Sequence, residues 1–180
     1  MKTFKLLLVL GFGLVGSVFA APNTQYYQKD DIEDKKDWVE DKVEFPALPQ
    51  ESNLISIYLN ATSVNRYWVD ANSITVGNDG VVRYSLIVLS GGGVRGVTYE
   101  GIRCETRDLR RYAVLRNEIE WVKSRNEAWV RITESPGHRQ HAVLYLQHFC
   151  PDGAMVRDAA EAKRNLKRGG RLPGDGPTAY

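Results

Sequence analysis

The sequence predicts an α+β fold: an antiparallel sheet of about five to seven strands, a C-terminal helix packed on it, and one disulfide. Three observations point there. From Leu54 onward, short apolar runs follow one another closely, separated by Gly, Asn and Asp turns rather than by helices. One stretch near the C-terminus repeats its apolar residues at helical spacing. The chain of 180 residues holds 2 Cys, so a single intramolecular pairing is available.

The first element is not part of that fold. In MKTFKLLLVLGFGLVGSVFA, Lys2 and Lys5 form a positive start, Leu6 to Val15 an apolar middle, and Val18-Phe19-Ala20 a small-x-small site before Ala21. This three-part pattern predicts a signal peptide over residues 1–20, cleaved between Ala20 and Ala21. The apolar stretch is too short to span a bilayer, which takes about 20 residues, so no stable span is expected after cleavage. The expected location is the periplasm. Of 24 basic and 22 acidic residues, the removed segment takes two Lys, so the mature chain is neutral in sum.

That neutrality hides a polarity. Residues 21–51 carry nine acids and four Lys, whereas residues 52–180 carry 18 bases, 15 of them Arg, against 13 acids. The acidic segment has few apolar residues and ends in Pro46 and Pro49, which predicts a flexible or loosely docked arm. Trp38 and Phe45 are the residues able to pin it to the body.

Residues 52–168 are then expected to form a single globular domain. Leu54–Leu59, Arg66–Asp70, Ser73–Val76, Val81–Leu89, Val94–Thr106, Tyr112–Leu115, Trp129–Thr133 and Ala142–Phe149 read as strand segments. Asn78-Asp79-Gly80 is a hairpin turn, and Gly91-Gly92-Gly93 a second break. Alternation puts Val82, Tyr84, Leu86 and Val88 on one face and Arg83 and Ser85 on the other. Likewise Ile102 and Cys104 oppose Tyr99, Arg103 and Glu105, and Ala142, Leu144, Leu146, His148 and Cys150 share a face. A helix is expected after Pro151, capped by Asp152, with Met155, Ala159, Ala162 and Leu166 on one side and a stop at Gly169-Gly170. Residues 169–180 are expected to be a disordered tail.

In an oxidising compartment Cys104 and Cys150 are expected to pair. On the chain-entropy model, closing the loop from Cys104 to Cys150 stabilises the fold by roughly 4 kcal/mol.

The runs VDANSITVGNDGVVRYSLIV (69–88), VTYEGIRCETRDLRRYAV (97–114) and HFCPDG (148–153) resemble the CNP-one-like family of exported proteobacterial proteins, first noted in neisserial species. The resemblance spans most of residues 50–170 and is most specific at Tyr-Glu-Gly-Ile-Arg-Cys. It implies a Gram-negative periplasmic setting and supplies no catalytic residues.

Among candidate chemistries, Arg103, Arg107, Arg110 and Arg111 crowd together near Tyr99 and Tyr112. With Arg83 and Tyr99 they predict a face that engages an anionic envelope component or another envelope protein, guanidinium forks gripping carboxylate or phosphate while tyrosine stacks. Interleaved Glu100, Glu105 and Asp108 offer the competing reading, ordinary ion pairing. Nucleic acid is not expected as the partner, and the oligomeric state is left open. The three His (138, 141 and 148) lack metal-ligand spacing, so neither metal nor cofactor is expected. The alternative to a non-enzymatic module is a small hydrolase for an anionic envelope polymer, with His138 or His141 as base beside Ser135 or Glu134. No hydrolase elbow or phosphate-binding loop accompanies these residues.

Overall fold

The structure, a computed structural model, describes residues 37–169. The expected signal peptide, the first part of the acidic arm and the tail beyond Gly169 lie outside the described residues. Among the described residues seven strands form one antiparallel sheet: β1 (Leu54–Ile57), β2 (Arg66–Val76), β3 (Val81–Leu89), β4 (Arg95–Arg103), β5 (Asp108–Arg116), β6 (Glu120–Lys123) and β7 (Val130–Arg131). Spatial order follows chain order from β1 to β6, with β7 pairing the start of β5. The strand count and the antiparallel arrangement are as the turns imply. β6 has no counterpart in the sequence reading, since Glu-Trp-Val-Lys is too short to display a period.

β2 joins two expected strands across a bulge, because the pairing with β3 shifts between Asp70 and Thr75. Side chains fill the gap in the ladder. The Ser73 hydroxyl accepts from the Ser85 amide at 2.7 Å and donates to the Asp70 carbonyl at 2.8 Å. A buried amide facing the bulge is thereby satisfied. The β2–β3 turn closes at Gly80, whose φ of 79° is cheap for glycine and costly for most other residues.

Two expectations are corrected. The segment expected as a strand over 142–149 is helical: α1 (Arg139–Val143) runs straight into a π-helical stretch, Leu144–Phe149. Its buried residues are His141, Ala142, Leu144, Tyr145, His148 and Phe149, a wide helical stripe, while Leu146 is 42 % exposed. An apolar run this dense satisfies period 2 and period 3.6 together, and packing against the sheet selects the latter. The second correction concerns the start of the last helix. α2 spans Ala159–Lys167 and is capped by Asp158, whose carboxylate accepts from the Glu161 amide at 2.7 Å. Asp152 instead sits in a left-handed turn, φ 56°. The Asp158-x-x-Glu161 pattern outcompetes it because Glu161 also reaches back to the Arg157 amide at 2.9 Å.

The helices cover one face of the sheet. Tyr67, Val69, Val82, Tyr84, Leu86 and Ile102 meet Leu144, Tyr145, Phe149, Ala162 and Leu166 in the main core. Burying a side chain such as Leu144 or Phe149, both 0 % exposed, is worth about 1.5–3 kcal/mol each. Cys104, just past β4, is bonded to Cys150, at the end of the π-helical stretch, with Cα atoms 5.5 Å apart. The expected disulfide thus staples helix layer to sheet.

The opposite face is closed as well. All of Val81 to Ile87 in β3 is buried, which a one-sided sheet would not produce. Val43 packs there against Tyr99, Tyr112 and Ala113, with Trp121 alongside. Residues 37–50, which belong to neither strand nor helix, contribute that cover.

Candidate functional site

The arginines of this second face are positioned by strand register. Arg83 in β3 lies opposite Gly101 in β4, and Gly101 lies opposite Arg110 in β5. Glycine between two arginines leaves a hole, and Tyr112 fills it. A Cβ on residue 101 would stand 2.6 Å from the Tyr112 hydroxyl and 2.9 Å from Val81. The bulge between Tyr99 and Glu100 sets Tyr112 and Ala113 side by side against Tyr99. Both guanidiniums then approach the same ring, Arg83 at 5.6 Å and Arg110 at 5.5 Å from its centroid.

Into this frame residues 37–50 insert one carboxylate, that of Glu40. Arg110 donates to one oxygen at 2.5 Å and the Tyr112 hydroxyl to the other at 2.6 Å, with an Arg83 nitrogen 3.5 Å away. Burial and the Glu40 acceptor push the Tyr112 phenol upward, so it stays a neutral donor. Arg83 is also held by Asp79 of the β2–β3 turn, whose side chain is fully buried. Burial works to raise the Asp79 carboxyl, but Arg83 and the amides of Asp41 and Val81 outweigh it and hold it below the usual range. Burial likewise opposes charge on Arg83, yet Asp79 and Glu40 keep it firmly protonated.

Two aromatic seats flank the carboxylate. Trp38 donates to the Asp79 carbonyl at 2.7 Å, lies under the Arg103 guanidinium at 4.1 Å and meets Trp129 edge-on at 5.7 Å. Phe45 meets Tyr99 edge-on at 6.3 Å, and Trp121 donates to the Pro46 carbonyl at 2.8 Å. Beside Glu40 a cleft of about 300 Å³ opens, lined by Phe45, Arg110, Tyr112, Lys123 and Glu127 among others.

Of the six binding residues read from the sequence, Arg83, Tyr99, Arg103 and Arg110 come together here. Arg107 lies apart, on Glu134 at 3.2 Å and over Tyr145 at 5.3 Å. Arg111 passes to the helix side of the sheet. Sequence reasoning missed Glu40, Asp79 and Glu127 as partners. Strand parity would have grouped Arg110 with Tyr112 rather than with Arg111, but nothing local marks Glu40 among nine arm acids.

Arg111 reaches a second polar cluster, centred on Glu100, which is 1 % exposed. Glu100 accepts from Arg111 at 3.4 Å, Thr98 at 2.9 Å and Tyr84 at 3.2 Å, and pairs with His141 Nε2 at 2.9 Å. Burial pushes this carboxyl up, yet His141, Arg111 and Thr98 hold it down at about 2. Tyr84 is pushed upward by burial and by Glu100. His141 and Glu134 are therefore not paired with each other. The His–carboxylate contact that exists is sealed beneath α1, where a substrate has no access. Among the described residues no group of three His, Cys, Asp or Glu stands ready for a metal ion.

Fold and site together define a class: a single antiparallel meander, backed by helices on one face and closed on the other by its own acidic N-terminal segment. The chain belongs to the CNP1-like family, whose model matches residues 33–167. It is 28 % identical over 166 residues to Cryptic neisserial protein 1 of Neisseria gonorrhoeae (strain ATCC 700825 / FA 1090), a match that covers 83 % of this chain and 81 % of that relative. The family span takes in Trp38 and Glu40 as well as the sheet. No solved structure matches the chain.

Proposed function

We propose that the protein is an exported periplasmic module, non-enzymatic, that engages an anionic partner of the cell envelope through the sheet face carrying Arg83, Tyr99, Arg103, Arg110 and Tyr112. One observation carries this reading. A carboxylate is gripped by Arg110, the Tyr112 hydroxyl and Arg83 in a seat that opens onto a cleft. Charge-assisted forks of this kind recognise anions with geometric specificity. Export is supported by the three-part N-terminus and by a disulfide, a bond that lasts in oxidising compartments.

The test uses the full mature chain. Replacing Trp38 and Glu40 by Ala frees the Arg face, so the variant should elute from a heparin column at higher salt than the parent. Adding Arg103→Ala and Arg110→Ala should reverse that gain. Elution unchanged by Trp38→Ala with Glu40→Ala would overturn the binding assignment. Protein recovered by osmotic shock should begin at Ala21, and an intact Met1 would overturn the export assignment.

A further inference from the structure

We infer that the partner on this face is an extended segment of another polypeptide, bearing an aromatic residue two positions before a glutamate, and that residues 37–50 hold its place until it arrives. This rests on the reading above and narrows it. The first support is the charge of the seat. With the arm's own acids set aside, Arg83, Arg110 and Lys123 face the carboxylates of Asp79 and Glu127, which leaves one positive charge uncompensated. A monoanionic carboxylate balances that. A phosphate dianion would overshoot it and bring its further oxygens toward Glu127, 3.0 Å from Arg110.

The second support is the spacing of seats. Trp38, Glu40 and Phe45 each occupy a separate receptor built by the sheet and its turns, and two of the three are aromatic. A glycan or a lipid headgroup fills the central seat and leaves the Arg103–Trp129 and Tyr99 seats empty. An acidic polypeptide with aromatic side chains fills all three.

The third support is how residues 37–49 are held. Among the described residues, no backbone-to-backbone hydrogen bond ties them to the body; the bonds made by the Trp38 and Glu40 side chains, the Asp41 amide and the Pro46 carbonyl each have a side chain on at least one end. Val39, Lys42 and Glu44 between the anchors are exposed. A segment without ladder bonds opens at a small fraction of the global cost of unfolding. Pro46 and Pro49 mark where it would swing. Exchange then follows mass action: the partner's apparent affinity is reduced by the fraction of molecules whose arm is docked.

The experiment titrates a fluorescein-labelled peptide with the sequence of residues 37–50 into the full mature chain, read by anisotropy. Binding should be roughly tenfold tighter to the Glu40→Gln chain than to the parent, since opening the seat removes the competitor. The same peptide with the glutamate that corresponds to Glu40 changed to glutamine, and the one that corresponds to Glu44 kept, should bind roughly tenfold more weakly. Trp38→Ala with Glu40→Ala provides a more open receptor, and far-UV circular dichroism checks that both variants are folded. If heparin is held by the opened chain but the peptide is not, the polypeptide partner falls while the Arg-face reading stands. If neither is held, both fall. Equal binding of a scrambled peptide also overturns the inference.

Discussion

On the helix side of the sheet, Phe149, Leu144, Leu166 and Ile102 fill a continuous apolar layer stapled by Cys104–Cys150. On the other side, cut from alternate residues of the same strands, an isolated aromatic cluster sits among Arg83, Arg110, Asp79 and Glu40. Apolar burial is non-directional and additive, so the first face tolerates small shifts and resists opening. Ion pairs and hydrogen bonds need their partners in place and trade almost evenly with water. One face of the sheet is therefore held mainly by apolar packing and the disulfide, the other mainly by charged and hydrogen-bonded contacts.

The contrast should show first in the disulfide. Cys104→Ala with Cys150→Ala releases a loop of 46 residues and should cost about 4 kcal/mol, read as a fall in urea midpoint. A loss no larger than that of an arm variant would erase the difference between the faces.

Acid should come next, and it should strike the helix face first. Burial lowers His148 to about 4 from an ordinary 6.5, so the folded state binds fewer protons than the unfolded chain. Its contribution is present above pH 6.5 and falls by up to about 3 kcal/mol as pH drops to 4. Glu100, held at about 2, adds a separate loss below pH 4.5. His148→Leu should flatten the stability profile between pH 6.5 and 4 while leaving the lower limb. A profile already flat in the parent would contradict the buried neutral imidazole.

Smaller still is the arm. Glu40→Gln keeps shape and removes charge beside Arg110 and Arg83, and should cost about 1–2 kcal/mol. Limited proteolysis should then cut residues 37–50 faster with no change in cleavage of the helix layer. Cleavage of both at one rate would mean the faces open together. At the bottom of the scale, Arg116→Ala removes a pair with Glu120 in which both side chains are 57 % exposed. It should change the unfolding free energy, read from the urea transition, by less than about 0.5 kcal/mol.

Much of this was legible in advance, and for local reasons. Asn78-Asp79-Gly80 turns wherever apolar runs flank it, and period 2 sets Val82, Tyr84, Leu86 and Val88 on one side of β3 although both of its faces are covered. Arg83 and Arg103 were placed on the face opposite Val82 and Ile102 by parity alone. The site was legible only by halves. Its basic half stands out as an Arg cluster, whereas its acidic half is one glutamate among nine arm acids, distinguished only by a partner 70 residues away.

What the sequence by itself determined was the inventory: a leader pattern, an acidic segment, a run of strands, two cysteines and one helix near the end. Periodicity and turns act over a few residues, so they survive without the fold. Only the tertiary structure decided that residues 142–149 coil instead of extending, that Glu100 is sealed beside His141, and that Glu40 is the arm acid that meets Arg110. Each of these depends on which surfaces meet. A dense apolar run, a bulged strand and a charged pair all have two local solutions, and long-range packing chooses between them.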